Sequence, residues 1–159
     1  DYADRTGGDL MADLGRQRAD PVARGRIVAW QRAALRELLR DIVGPLRAAR
    51  PALLVTVDAA PWAESVIIEG QDSLAWADEG LVDVVFSMNY QDTPPWEDLA
   101  RLRDGMHAPA RLAVMVSAYS RLEDPSAAEP RLHSRPGADM VDLVGRARAF
   151  NAAGHYAVY

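Results

Sequence analysis

The chain of 159 residues has no cysteine, so disulfides and thiolate metal sites are excluded and redox chemistry gives no clue to compartment. Lysine is missing too, and every basic side chain is an arginine. That bias reads as the codon usage of a GC-rich genome, and it leaves an acidic receiver pocket without its strand-end lysine. No apolar run approaches the roughly 18 residues needed to cross a bilayer. The opening residues lack the basic and apolar regions of a signal peptide. His107, His133 and His155 are scattered, without the H-E-x-x-H spacing of a zinc site. No G-x-S-x-G elbow is present for a serine hydrolase, and Gly7-Gly8 extends to neither G-x-G-x-x-G nor a Walker pattern. A net charge of −5 with no basic cluster speaks against a nucleic-acid surface. No metal and no cofactor are expected.

What remains is an ordinary globular composition, 49% apolar and 26% charged, long enough for one domain with a real core. The most informative stretch runs from Gln71 to Tyr90. Leu74, Ala77 and Leu81 share a helical face, and Gly80 supplies a left-handed stop. Val82 to Phe86 is apolar apart from Asp83, the pattern of a strand buried on both faces of a parallel sheet. Asp83 is expected to make a buried structural hydrogen bond or ion pair. Ligands of parallel α/β folds meet the carboxyl ends of strands, which singles out Ser87, Met88, Asn89 and Tyr90.

Around this stretch the alternation continues. Asp1 to Asp9 reads as a polar, glycine-bearing loop. Asp20-Pro21 caps a helix running to about Ala49, with a kink expected at Gly44-Pro45. Ile27, Ala34, Leu38, Ile42 and Leu46 are expected to form its buried face, widened by Trp30, Leu35 and Leu39. Leu53 to Val57 reads as a strand exiting at Asp58, and Ala59 to Ile68 as a loop. Gln91 to Pro95 is a turn, Trp96 to Gly105 a helix, and Arg111 to Val116 a strand exiting at Ser117. A long loop covers Arg121 to Gly137. Asp139 is expected to cap a helix over Met140 to Ala152, and Gly154 to Tyr159 closes as a strand. Helices alternating with two-sided apolar strands imply parallel β/α units. Four strands fall short of a closed eight-strand barrel, which takes about 250 residues. The expectation is therefore the C-terminal half of a (β/α)8 barrel over residues 1–159, strands five to eight with their helices, its N-terminal half lying outside this sequence. A small doubly wound sheet is the alternative.

The passage Gln71, Trp76, Gly80-Leu81-Val82-Asp83-Val84-Val85, Met88-Asn89-Tyr90 resembles the bacterial glycosyl-hydrolase-like family 10, which carries "Q-x-W…W…G-x-V-D…P-M-x-Y" late in a (β/α)8 barrel. Asp1-Tyr2, followed by Arg5, is similar to that family's "H-L-D-Y-x-R-Y-P" strand exit, although the arginine is one position late and no Tyr-Pro follows. Trp30 fits the family's next helix, and Gly154 to Tyr159 its last strand.

The resemblance implies a glycoside hydrolase acting on a bacterial cell-envelope or extracellular polysaccharide, in the envelope or outside the cell. Such hydrolysis needs an acid and usually a second carboxylate, about 5–5.5 Å apart for retention or about 6.5–9.5 Å for inversion. Asp1, as general acid at a strand exit, and Asp58 and Asp92 are the catalytic candidates. Asn89 and Tyr90 would hold sugar hydroxyls. Trp62, Tyr119 and Tyr156 would stack on sugar faces, and Tyr2 and Arg5 complete the substrate-binding set. Trp30, Trp76 and Trp96 fall on helices and read as packing residues. The expected partners are a carbohydrate and the missing half of the barrel, with no nucleic acid and no membrane-spanning segment. Few strand-end carboxylates are on offer, so a non-catalytic carbohydrate-binding or scaffold module is the rival reading. A flavodoxin-like regulatory sheet is a third.

Overall fold

Asp20 and Pro21 set the start of the longest element. The Asp20 carboxylate accepts from the Val22 and Ala23 N–H groups at 2.9 and 3.2 Å, and Pro21 occupies a first-turn position whose N–H would be unused anyway. Helix α3 then runs over Pro21–Ala49, and Pro45 lies inside it without ending it. The computed structural model describes residues 1–89, 93–122 and 131–159, except the side chains of Ser65, Ile67, Ile68, Arg121, Leu122 and Arg131. Its described residues form two compact units, 1–53 with 61–72, and 54–60 with 73–159.

The first unit is helical: α1 (Tyr2–Thr6), α2 (Leu10–Arg16), α3 and α4 (Ala63–Glu69). The expected opening loop is thus two short helices. Asp1 and Asp4 make a capping box, Gly7 ends α1 in the left-handed conformation at φ 66°, and Asp9 caps α2 through the Ala12 N–H. Cap chemistry, not periodicity, carries both. The expected loop after Ala59 likewise contains α4, closed by Gly70 at φ 69°. In α3 the buried positions are Ala23, Ile27 and Val43, whereas Leu38, Ile42 and Leu46 are 54%, 49% and 44% exposed. The expected buried face is correct at Ile27 and wrong for its C-terminal half.

The second unit is α/β. Strands β1 (Thr56–Ala59), β2 (Val84–Ser87), β3 (Leu112–Val116) and β6 (Tyr156–Val158) form one parallel sheet in the order β1-β2-β3-β6. Helices α5 (Ser73–Asp78), α6 (Trp96–Asp104) and α7 (Gly137–Phe150) lie between them in the chain. Gly80, at φ 74°, turns the chain from α5 toward β2, as expected. The polar segment after Ser117 is not simply a loop, because β4 (Tyr119–Leu122) and β5 (Arg131–Ser134) pair antiparallel. Asp139 lies in the first turn of α7 and does not cap it; the cap position is Pro136, without a side-chain bond.

The sheet has two unlike faces. Val85, Leu112, Val114 and Val116 are fully buried, and Ser87 joins them. Each such aliphatic contributes about 1.5–3 kcal/mol when removed from water. The register aligns Asp58 with Phe86 and Ala113, and alternation turns this row to the other side of the pleat. There Asp58 and Thr56 on β1 are exposed, Phe86 and Met115 are half-buried, and Val84 and Ala113 are buried. Asn151 ties the entry of β3 to that of β6, donating to the Ala110 and Leu112 carbonyls at 2.7 and 2.9 Å and accepting from the Ala153 and His155 N–H groups. Asp83, half-buried and one residue ahead of β2, accepts from the Val55 N–H, one residue ahead of β1, at 2.8 Å; the expected structural hydrogen bond is present, but it is neither fully buried nor within the strand.

Candidate functional site

The carboxyl ends of the parallel strands are joined by one hydrogen-bond set. Asn89, 4% exposed, donates its amide to the Ser87 carbonyl and hydroxyl, both at 2.9 Å, and to the Met115 carbonyl at 3.3 Å. The Tyr159 hydroxyl donates to the Asn89 carbonyl. Just after β5, Arg135 Nε donates to the Ser117 carbonyl at 2.9 Å. Asn89 was expected to meet sugar hydroxyls; burial and these bonds make it the fastener of the β2 and β3 exits instead. Tyr90 and Asp92 lie outside the described residues.

Asp58 sits within β1, not at its exit, because the strand starts at Thr56 and runs to Ala59. Its carboxylate is exposed, with no hydrogen bond or ion pair among the described residues. Beside it in register stands Phe86. Tyr119, on β4, and Tyr156, on β6, are 48% and 38% exposed, and both present ring surface to solvent.

The remaining predicted residues belong to the helical unit. Asp1 is exposed and caps α1, accepting from the Asp4 N–H at 3.1 Å; it is not at a strand exit among the described residues. Arg5 makes a two-pronged pair with Glu37, 2.6 Å on each arm, which raises the arginine's pKa and lowers the carboxylate's. Trp62 is half-buried at the start of α4. Tyr2 is buried, and its hydroxyl donates to Asp13 Oδ2 at 2.5 Å. A hydroxyl so engaged is not available to a sugar.

Sequence reasoning missed Asp13 altogether. Fully buried on α2, it accepts from Arg26 Nε and Nη2 at 2.8 and 2.6 Å and from Arg16 Nη2 at 2.8 Å. The Arg26 guanidinium, then the Tyr2 hydroxyl and Arg16, hold its carboxyl well below the usual range against the opposing effect of burial. The signal was available in outline, since aspartate in a short helix with two arginines nearby suggests an ion pair, but nothing local said that it would be buried. Above this knot lies an open hollow of about 590 Å³, lined by Asp1, Tyr2, Gly8, Asp9, Leu10 and Trp30 among others. The Tyr2 and Trp30 rings meet edge-on, 5.5 Å between centroids at 75°.

No protein-family model matches the chain, and no curated protein and no solved structure shows significant similarity to it. Among the described residues no cluster of histidines and carboxylates could hold a metal ion, and no helix is long and apolar enough to cross a membrane.

Proposed function

We propose that the chain is the C-terminal half of a (β/α)8 barrel of the glycosyl-hydrolase-like family 10 type, and that the complete barrel binds and hydrolyses a bacterial cell-envelope or extracellular polysaccharide. The observation that carries this reading is strand order. A doubly wound sheet reverses its order at a switch point, whereas a barrel adds each new strand on the same side. Here four parallel strands follow chain order without a reversal. The exposed Thr56 and Asp58 on strand β1, and separately the uncovered Leu38, Ile42 and Leu46 of α3, are surfaces that another half would bury.

In this reading Asp58 and Asp92 serve the water or the cation-like transition state and Asp1 is general acid by resemblance alone, Asp1 belonging to the helical unit and Asp58 to the sheet unit. Tyr119 and Tyr156 offer stacking rings. The test is release of reducing ends from cell-envelope and exopolysaccharide preparations by the full-length protein. Asp58→Asn and Asp1→Asn are expected to lower the rate by about 10²-fold or more, as for loss of an acid–base group. Unchanged hydrolysis in both variants would remove the assignment.

One observation favours a second reading, a non-catalytic carbohydrate-binding module. Asp1 and Asp58 are both exposed, and a general acid at neutral pH needs burial or a like-charged neighbour to keep its proton. Calorimetric glycan binding with no bond cleavage would select it.

A further inference from the structure

The parallel sheet is open on both sides. Among the described residues β1 pairs only with β2, and β6 only with β3. An open strand side is a template for pairing with another chain. Side chains at both edges stand in solvent: Thr56 on β1, and Tyr156 and Val158, 38% and 48% exposed, on β6. The two edges are unlike, yet both strands run the same way because every pairing in this sheet is parallel. To continue the order β1-β2-β3-β6, the open side of β6 needs a parallel strand whose own free side matches, and β1 is such a strand.

Twofold symmetry fits these edges. A rotation axis parallel to the strands keeps all strands parallel and lays β6 of each copy beside β1 of the other, so both seams close together. Four strands taken twice make eight, the number at which a parallel sheet closes over an interior filled by side chains. That interior is built in layers of four side chains from alternate strands. With two copies, each supplies two side chains to every layer, which the twofold axis satisfies directly.

We infer that the partner of this sheet in the 159-residue chain is a second copy, the two closing a twofold barrel through β6–β1 seams and completing the mouth that one copy leaves open. This rests on the half-barrel reading but not on its glycan chemistry.

Sedimentation and light scattering of the 159-residue chain test it, with a mass of twice 17.4 kDa expected. The chain has no cysteine, so engineered thiols report only where they are placed. With a short bis-maleimide, Thr56→Cys/Val158→Cys is expected to give a covalent dimer, each seam bringing position 158 of one copy to position 56 of the other. Within one copy these positions lie on opposite edges, at least roughly 14 Å apart across three strand spacings. Neither single variant should link, because equal positions stand across the barrel. Val158 is exposed, so Val158→Asp should fold normally, as an unchanged circular dichroism spectrum checks. It is expected to raise the dissociation constant about tenfold or more by placing a charge in the seam. A folded monomer overturns the inference and leaves the half-barrel reading intact, its other half then belonging to a longer chain. A dimer that links through Thr56→Cys alone, or that keeps its affinity in Val158→Asp, also overturns the inference. An open series of larger oligomers overturns both, since edges that do not close belong to an open sheet.

Discussion

Tyr2 donates its hydroxyl to Asp13 Oδ2 at 2.5 Å, and Arg26 Nε donates to that same oxygen at 2.8 Å. A residue of α1, one of α2 and one of α3 thereby share a single buried carboxylate. A buried charge is costly unless paired, and removing one partner leaves the others uncompensated. Asp13→Asn is expected to lower the urea midpoint of the helical unit markedly at pH 7. The pH dependence has a fixed sign. Asp13 is held below its ordinary value of 3.8, so its contribution is complete above that value and fades as pH falls toward the depressed one. The gap between wild type and variant should therefore narrow only below pH 3.8; equal midpoints at pH 7 would refute the role.

Tyr2 titrates the other way. Burial first, and then the hydrogen bond to Asp13, raise its pKa above 10.0. Its proton is bound more tightly in the folded chain, so the stabilisation is present below pH 10 and is lost as pH rises through the raised value. Wild type should lose stability more steeply than Tyr2→Phe in alkaline denaturation followed by circular dichroism. Parallel alkaline limbs would contradict this.

At the strand exits, Asn89→Ala leaves buried carbonyls without donors and should cost about 1–3 kcal/mol in urea unfolding. Tyr159→Phe removes one bond to the Asn89 main chain and should cost about 0.5–1.5 kcal/mol. A neutral Asn89→Ala would mean that the fastener is ornamental.

Helix α3 offers a paired comparison. Ile27, 3% exposed, should cost about 2–5 kcal/mol as alanine. Ile42, 49% exposed, should tolerate glutamine within about 0.5 kcal/mol in this chain. A large effect at Ile42 would show that something covers that face.

Two glycines should respond with opposite signs. Gly70 sits at φ 69°, and a Cβ there would come within 2.5 Å of the Gln31 Cβ, so Gly70→Ala is expected to destabilise by more than about 1 kcal/mol. Gly25 lies inside α3 with open space where an alanine methyl would stand, so Gly25→Ala should stabilise by about 0.5–1 kcal/mol. Differential scanning calorimetry reads both, and matching signs would contradict the local geometry.

How far the sequence could be read depends on the range of the forces involved. The runs at Val84 to Ser87 and Leu112 to Val116 are strands because a pleated sheet covered on both sides buries consecutive apolar side chains, and the Asp20-Pro21 cap is a local hydrogen-bond fact. Asp83 was legible only in kind, as an acid in an apolar run that needs a partner; the partner itself, the Val55 N–H, is distant in the chain. The helices at Tyr2–Thr6 and Ala63–Glu69 were not, because they are too short to show a period and depend on caps. The site candidates fared unevenly: Tyr119 and Tyr156 present rings to solvent, while Asn89 and Tyr2 spend their polar groups inside the protein.

By itself the sequence determined the α/β class, the starts and stops written in proline, glycine and aspartate, and the succession of the four strands. Those are properties of neighbours in the chain. Tertiary structure alone decided that the Asp13 charge is buried among Tyr2, Arg16 and Arg26, that Asn89 fastens two strands, and that Leu38, Ile42 and Leu46 stand in water. A helical period fixes which residues share a face, but only the rest of the molecule decides what, if anything, lies against it.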